Sequence, residues 1–286
     1  MDQADRLRAI ASHSGSGEGP RVISVTSGKG GVGKTNIAVN MAAVFARRGL
    51  KTLVIDADFG LANINLILGC PVGKTLDDVL FGDTPLSDIF IKTSAGFDLL
   101  PGSSGVRKLL ALDPFSQRTL FDRLWDAMQG YDVVVYDTAP GIGSTVLDFN
   151  ASAHDIVVVA HPEPTALADA YALIKVLANE RKEKRFKLVI NRARSLGEGL
   201  DSYRKVTEVS DEFLNVSLDY LGSLPEDSAV LRSVKNQRPV CLHEPYAPFA
   251  VALERIGDKL LATGFSRTSR KTWNTDGVLK SAEGGW

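Results

Sequence analysis

The chain has 286 residues, 44% of them hydrophobic, enough to bury one large core, and an α/β protein of this length is commonly a single domain. Its 33 Lys and Arg against 34 Asp and Glu leave a net charge of −1, which argues against a broad basic face and makes a nucleic-acid partner unlikely on charge grounds. Cys70 and Cys241 are far apart with no CxxC companion, and His13, His154, His161 and His243 lack metal-ligand spacing, so neither a metal cluster nor a redox pair is expected.

In chain order, residues 1–10 can form a short helix with Ala4, Leu7 and Ile10 on one side and Asp2 near its start; residues 14–20, rich in Ser and Gly, then read as a flexible tether. So short a helix is marginal alone, and both a detachable recognition peptide and a frayed terminus fit it. An apolar, β-branched run at residues 22–26 follows, then Gly28, Lys29, Gly30, Gly31, Val32, Gly33, Lys34 and Thr35, then a helical pattern from Ile37. Gly, any four residues, Gly-Lys-Thr between a strand and a helix is the phosphate-binding loop pattern. Its glycines let successive N–H groups face an anion at a helix start. In that pattern Lys34 meets the β- and γ-phosphates and the Thr35 hydroxyl ligates Mg²⁺.

The second buried strand, residues 51–56, runs into Asp56 and Asp58, placed where open parallel sheets bind ligands. Asp58 could orient an attacking water and Asp56 support the Mg²⁺ shell; a loop acid or helix cap is the plain alternative for either. Residues 76–81 suggest a short amphipathic helix, and residues 96–102 a strand ending in a turn. Phe115, Leu120, Leu124 and Met128 give a helical packing stripe. The apolar run 131–137 ends in Asp137, the Walker B arrangement, in which the Asp holds Mg²⁺ through water.

A further central strand spans residues 155–160, and Pro162 to Thr165 turn the chain into a helix from about residue 166 to 179. Asn191 closes the next strand, where its amide can reach a purine edge or simply terminate the strand. A long polar helix over about residues 198–214 precedes a strand ending at Pro225, Glu226 and Asp227, a loop that could bracket the base. Phe249, Leu253, Ile256 and Leu260 form the packing stripe of the last helix. Beyond Gly264 the composition is that of a disordered basic tail, with a membrane-touching role through Arg267, Arg270, Lys271 and Trp273 as the alternative.

The second lysine of the loop, Lys29, makes residues 28–35 resemble the deviant Walker A loop of the MinD/ParA family of dimerising ATPases. Within that family, residues 56–63, residues 164–175 and the opening Asp2, Gln3, Ala4, Asp5, Arg6, Leu7, Arg8 resemble the branch that regulates flagellar number and placement, FlhG or FleN. The resemblance implies a doubly wound, mostly parallel α/β sheet flanked by helices, with residues 1–20 as activator peptide and linker, 21–263 as the P-loop ATPase domain and 264–286 as tail. It also implies ATP and Mg²⁺ as ligands, with Lys29 crossing to the nucleotide of a second copy in an ATP-dependent homodimer. Lys29, Lys34 and Asp58 would be catalytic, Thr35, Asp56 and Asp137 would serve the metal, and Asn191, Pro225, Glu226 and Asp227 would line the adenine pocket. Asp2, Gln3, Ala4, Leu7 and Arg8 would contact the flagellar GTPase FlhF, and flagellar basal-body or transcriptional regulators would be further partners. No signal peptide and no apolar run of about 18–20 residues is visible, so the expected place is the cytoplasm, with ATP-dependent peripheral association with the inner membrane. The tail departs from the family's membrane-targeting helix. The alternatives are a ParA-type DNA- or cargo-partitioning ATPase, a MinD-type division-site ATPase and a non-hydrolysing nucleotide-gated adaptor.

Overall fold

The computed structural model describes residues 19–58, 63–75, 78–79, 84–102 and 114–264. The N-terminal peptide, the C-terminal tail and most of the helix expected at residues 76–81 lie outside the described residues. Eight strands form one sheet: β1 (Arg21–Thr26), β2 (Thr52–Ala57), β3 (Ile91–Lys92), β4 (Asp98–Leu100), β5 (Val133–Thr138), β6 (Asp155–Ala160), β7 (Arg185–Ala193) and β8 (Ser217–Pro225). Their order is β3-β4-β2-β5-β1-β6-β7-β8, parallel throughout except for the antiparallel β3–β4 pair. The doubly wound, mostly parallel α/β architecture expected from the sequence is the one observed.

Nine helices accompany the sheet among the described residues: α1 (Lys34–Arg47), α2 (Ile64–Leu68), α3 (Pro114–Met128), α4 (Ser144–Ser152), α5 (Pro164–Glu180), α6 (Leu196–Phe213), α7 (Ser228–Lys235), α8 (Val240–His243) and α9 (Pro248–Ala262). Every residue of β1, β2, β5 and β6 is buried, because helices cover both sheet faces, and the strands therefore read as continuous apolar runs. Alternate residues still separate by face. Ile23, Val25, Val54, Val135 and Val157 pack with Ile37, Met41 and Phe45 of α1 and with Phe249, Leu253, Ile256 and Leu260 of α9. Val22, Leu53, Ile55, Val134 and Tyr136 face Leu124 and Met128 of α3 and Phe149 of α4. Ile156 and Val158 face Leu173, Ile174 and Leu177 of α5. Side-chain alternation along a strand accounts for this division.

Three details differ from the sequence reading. Asp137 is followed by Thr138 inside β5, and β7 runs two residues past Asn191 to Ala193, which pairs with Pro225 beyond a register shift. Arg192 sits at φ 55 in that irregular stretch. Helices α2, α4, α7 and α8, none of which the sequence reading placed, fill the loops after β2, β5 and β8.

The two ends of the parallel strands carry different chemistry. The loops after β1, β2, β5, β7 and β8 all open at the carboxyl end, the usual ligand crevice of open α/β sheets. At the opposite end Arg21 Nε binds Asp155 Oδ2 at 2.8 Å, and its two other nitrogens reach the carbonyl and hydroxyl of Thr263 at 3.1 and 2.8 Å. Lys187 Nζ lies 3.4 Å from Asp155 Oδ1 and 3.5 Å from Asp219 Oδ2.

Candidate nucleotide-binding site

Residues 28–33 loop from the end of β1 to the first turn of α1, as the spacing predicted. Two of the glycines are dictated by their surroundings. A Cβ at Gly28 would sit 2.0 Å from the Asp169 carbonyl oxygen of α5, so the loop begins pressed against helix backbone. Gly33 caps α1 at φ 92, a conformation that favours glycine, and a Cβ there would lie 2.4 Å from Asn191 Nδ2. Ser27 Oγ donates to the Lys29 carbonyl at 2.7 Å, and the Gly141 N–H, from the loop after β5, donates to the Ser27 carbonyl at 2.9 Å. Lys34 is buried at the start of α1, whereas Lys29 is exposed.

The acids converge on Lys34. Asp56 and Asp137 are register partners on the neighbouring strands β2 and β5, and both are buried. Burial pushes the Asp56 carboxyl up to about 7, although it accepts the N–H groups of Asp58 at 3.1 Å and Ile64 at 3.4 Å, and also that of Asn63. Burial, and then the charge of Asp56, pushes Asp137 up to about 8; the Thr35 hydroxyl bonded to it and the Lys34 ammonium act the other way. Burial also lowers the Lys34 pKa, opposed by the charges of Asp137 and Asp58. The structure thus gathers Lys34, Thr35, Asp56, Asp58 and Asp137 at one point.

The Oδ1 atom of Asp137 is buried with no hydrogen-bond partner among the described residues. A buried acceptor left this way costs roughly 1–3 kcal/mol, more if charged, so a cation or its water shell is the chemistry that suits it. Among the described residues no group of three or more His, Cys, Asp or Glu side chains could hold a metal alone. One hydroxyl and one or two carboxylates, completed by ligand phosphates, is the donor set that Mg²⁺ accepts. These residues fit the ion.

Beside the loop lies a cavity of about 640 Å³ whose walls include Gly33, Asn36, Asn191, Pro225, Glu226 and Asp227. The expected base-pocket residues are therefore brought together, next to the end of the phosphate loop. Asn191 is nevertheless tied to the protein, with Nδ2 donating to the Val32 carbonyl at 2.8 Å and Oδ1 accepting the Arg192 N–H. Both Asp227 oxygens are also engaged, accepting Ala229 N–H at 2.9 Å and Phe249 N–H at 3.1 Å. Asp227 shapes this wall by capping α7 and holding the start of α9.

Sequence reasoning missed several contributors. Asn36 lines the cavity with its Oδ1 buried and unpartnered, and its place directly after the Gly-Lys-Thr signature could have drawn attention to it. Val230, Leu231 and Val234 of α7 supply apolar wall. Behind the loop, Asn150 of α4 bonds Ser24 Oγ at 2.8 Å and Thr26 Oγ1 at 3.1 Å, and Thr138 Oγ1 lies 3.0 Å from the same Thr26 oxygen. This fully buried network fixes the strand ends from which both phosphate loop and Asp137 loop depart. Asp2, Gln3, Ala4, Leu7 and Arg8 lie outside the described residues.

A family model described as an AAA domain matches residues 20–190. The antiactivator FleN of Pseudomonas aeruginosa is 39% identical over 240 residues, covering 84% of this chain and 86% of that protein. The flagellum site-determining protein YlxH of Helicobacter pylori is 32% identical over 243 residues, covering 85% and 82%. Among solved structures, the septum site-determining protein MinD from Pyrococcus horikoshii, complexed with Mg-ADP, superposes with a TM-score of 0.68 at 27% identity, over 84% of this chain and 96% of that one. With the phosphate loop, the Asp137 loop and the sheet order in agreement, the chain belongs to the MinD/ParA family of P-loop ATPases, in its FlhG/FleN branch.

Proposed function

We propose that this chain is an ATP-hydrolysing dimerisation switch that regulates the number and placement of flagella. The unpartnered, buried oxygen of Asp137 beside Lys34 and Thr35 carries the enzymatic part of the reading, because that constellation suits a metal-bound triphosphate. The similarity to FleN and YlxH over more than four-fifths of the chain supports the flagellar part.

Each residue takes a distinct role. N–H groups of the loop between Gly28 and Thr35 bind phosphate oxygens at the start of α1, and Lys34 adds a buried positive charge. Thr35 and Asp137, with Asp56 behind them, hold the ion. When bound there, Mg²⁺ would supply charge neutralisation for the phosphates. Asp58, next to the Asp56 turn and near Lys34, orients the attacking water. Lys29, exposed on the loop, reaches the nucleotide of a second copy. A cation supplied in this way stabilises charge developing on the transferred group, an effect worth about 10³–10⁵ in rate where arginine does it. The cavity bounded by Asn191 and residues 225–227 takes the base. The opening residues Asp2 to Arg8 stimulate the flagellar GTPase FlhF.

Size-exclusion chromatography of wild type and Asp58→Ala with Mg²⁺ and either ADP or ATP tests the switch. Dimers are expected with ATP alone; they should persist in Asp58→Ala, whose turnover should fall by about 10²-fold or more. A monomer at every concentration under saturating ATP would sink the mechanism. Deleting residues 2–8 should leave basal ATPase unchanged and abolish stimulation of the GTPase, measured with both proteins present; undiminished stimulation would reassign the peptide.

A further inference from the structure

The Val32 carbonyl accepts two side-chain hydrogen bonds, one from β7 and one from the residue that follows β6. One is Asn191 Nδ2 of β7 at 2.8 Å; the other is His161 Nε2, one residue beyond β6, at 3.2 Å. A carbonyl only accepts, so the His161 ring carries its proton on Nε2. The peptide joining Val32 to Gly33 is planar and trans, so its C=O and N–H point in opposite directions. Fixing the carbonyl outward on β6 and β7 therefore aims the Gly33 N–H at the inner side of the loop. Glycine at φ 92 does not hold that orientation by itself, since its backbone is the least restricted of all residues.

We propose that His161 is a positioning residue for the phosphate loop: together with Asn191 it clamps the Val32 carbonyl so that the Gly33 N–H stays directed at a bound phosphate. The inference rests on the loop being a nucleotide site and assigns to that site a residue that neither the motif nor the cavity includes. The surroundings suit a neutral donor. His161 as a whole residue is 8% exposed. Burial first, and then Arg192, hold its pKa below the usual 6.5; Glu163 and Lys29 are the other charged groups facing it, with Glu163 acting in the opposite sense. At neutral pH the ring donates without adding charge beside Lys29.

The test compares Mg·ADP affinity by calorimetry, and steady-state ATPase kinetics, for wild type, His161→Leu and His161→Gln. Leucine fills space without a donor, and glutamine restores an N–H at about the same reach. The leucine variant should bind Mg·ADP about five- to tenfold more weakly, within the range of one lost hydrogen bond, and the glutamine variant should bind within about twofold of wild type. Because the loop holds phosphate in ground and transition states alike, KM should rise while kcat stays within about twofold. Wild-type affinity in the leucine variant would overturn the proposal, as would a glutamine variant as weak as the leucine one. Failure of wild type itself to bind Mg·ADP would instead remove the nucleotide reading. If His161→Leu does not fold, His161→Ala takes its place: weakened binding restored by added imidazole supports the clamp, and weakened binding that imidazole leaves unchanged overturns it.

Discussion

Two buried carboxylates at opposite ends of the sheet, Asp155 and Asp137, divide the molecule into a part that holds itself together and a part that awaits something else. Asp155 is matched from both sides, by Arg21 at 2.8 Å and Lys187 at 3.4 Å. Asp137 has one oxygen with no partner, a neighbouring acid in register and a carboxyl pushed up to about 8. The same residue type at similar depth is thus a structural tie at one end and a binding group at the other. Burial alone does not mark a functional acid; burial without compensation does.

Removing the matched acid should have the largest effect on folding. Asp155→Ala takes the carboxylate from the buried Arg21 and leaves the half-buried Lys187 with Asp219 only, and breaking such a buried pair from one side typically costs about 3–5 kcal/mol. Urea unfolding should show that loss, while the nucleotide affinity of the protein still folded remains within about twofold. A loss under about 1 kcal/mol would mean that the cluster is solvated and that the contrast with Asp137 is false.

Asp137→Asn should do the reverse, and pH gives the sign. In the unfolded chain both acids titrate near 3.8, whereas in the folded protein without ligand Asp56 and Asp137 are raised to about 7 and 8. Below about pH 4 both states hold the protons. As the pH climbs, the unfolded chain releases them first, so folded stability declines until the pH passes the folded values and then levels. The neutral amide escapes its share of that decline. The variant should therefore unfold at about the same urea concentration as wild type near pH 4 and at a higher one at pH 8, while losing the Mg²⁺-dependent part of its ADP affinity. For wild type, Mg·ADP binding near pH 7 should release protons, seen as a calorimetric heat that varies with buffer ionisation enthalpy, and the release should vanish above about pH 9. A heat independent of buffer would place the cation away from these acids.

The nucleotide end was the more legible of the two. Residues 28–35 are local, and their spacing alone carries the chemistry; Asp56 and Asp137 stand at the ends of apolar runs that show their own strands. The β/α alternation was legible too, because strands buried on both faces read as mostly apolar, β-branched runs. The Arg21–Asp155 tie was not, since its members are 134 positions apart and each alone looks like a solvated charge. Helices α4, α7 and α8 escaped for a related reason: at nine, eight and four residues they are too short to announce themselves by propensity. Their stability comes from tertiary partners, such as Asp227 capping α7 and Asn40 Oδ1 accepting the Cys241 N–H of α8 at 2.9 Å. His154 and His161 illustrate the same limit, because only the fold brings one to the Val22 N–H and the other to the Val32 carbonyl.

The mildest change sharpens the contrast from the nucleotide side. Helix α2 is a five-residue strut: its first N–H binds Asp56 Oδ2, and at its far end the Leu66 carbonyl accepts Gln237 Nε2 at 3.2 Å, while a Cβ on Gly69 would lie 2.5 Å from Gln237 Oε1. Gln237 follows α7, the helix that walls the cavity, so the metal acids and the base pocket share one mechanical link. That link is exposed, unlike the Arg21–Thr263 contact, and water can replace the lost bond. Gln237→Ala should therefore lower stability by less than about 1 kcal/mol and leave ATP affinity within about twofold. Turnover should fall a few-fold, because α2 then keeps its buried Ile64 and Leu68 but loses its polar tie to the residues after α7, and the Asp56–Asp58 turn it supports is less well fixed. Unchanged turnover in a single-turnover assay would show that the turn is positioned from Asp56 alone.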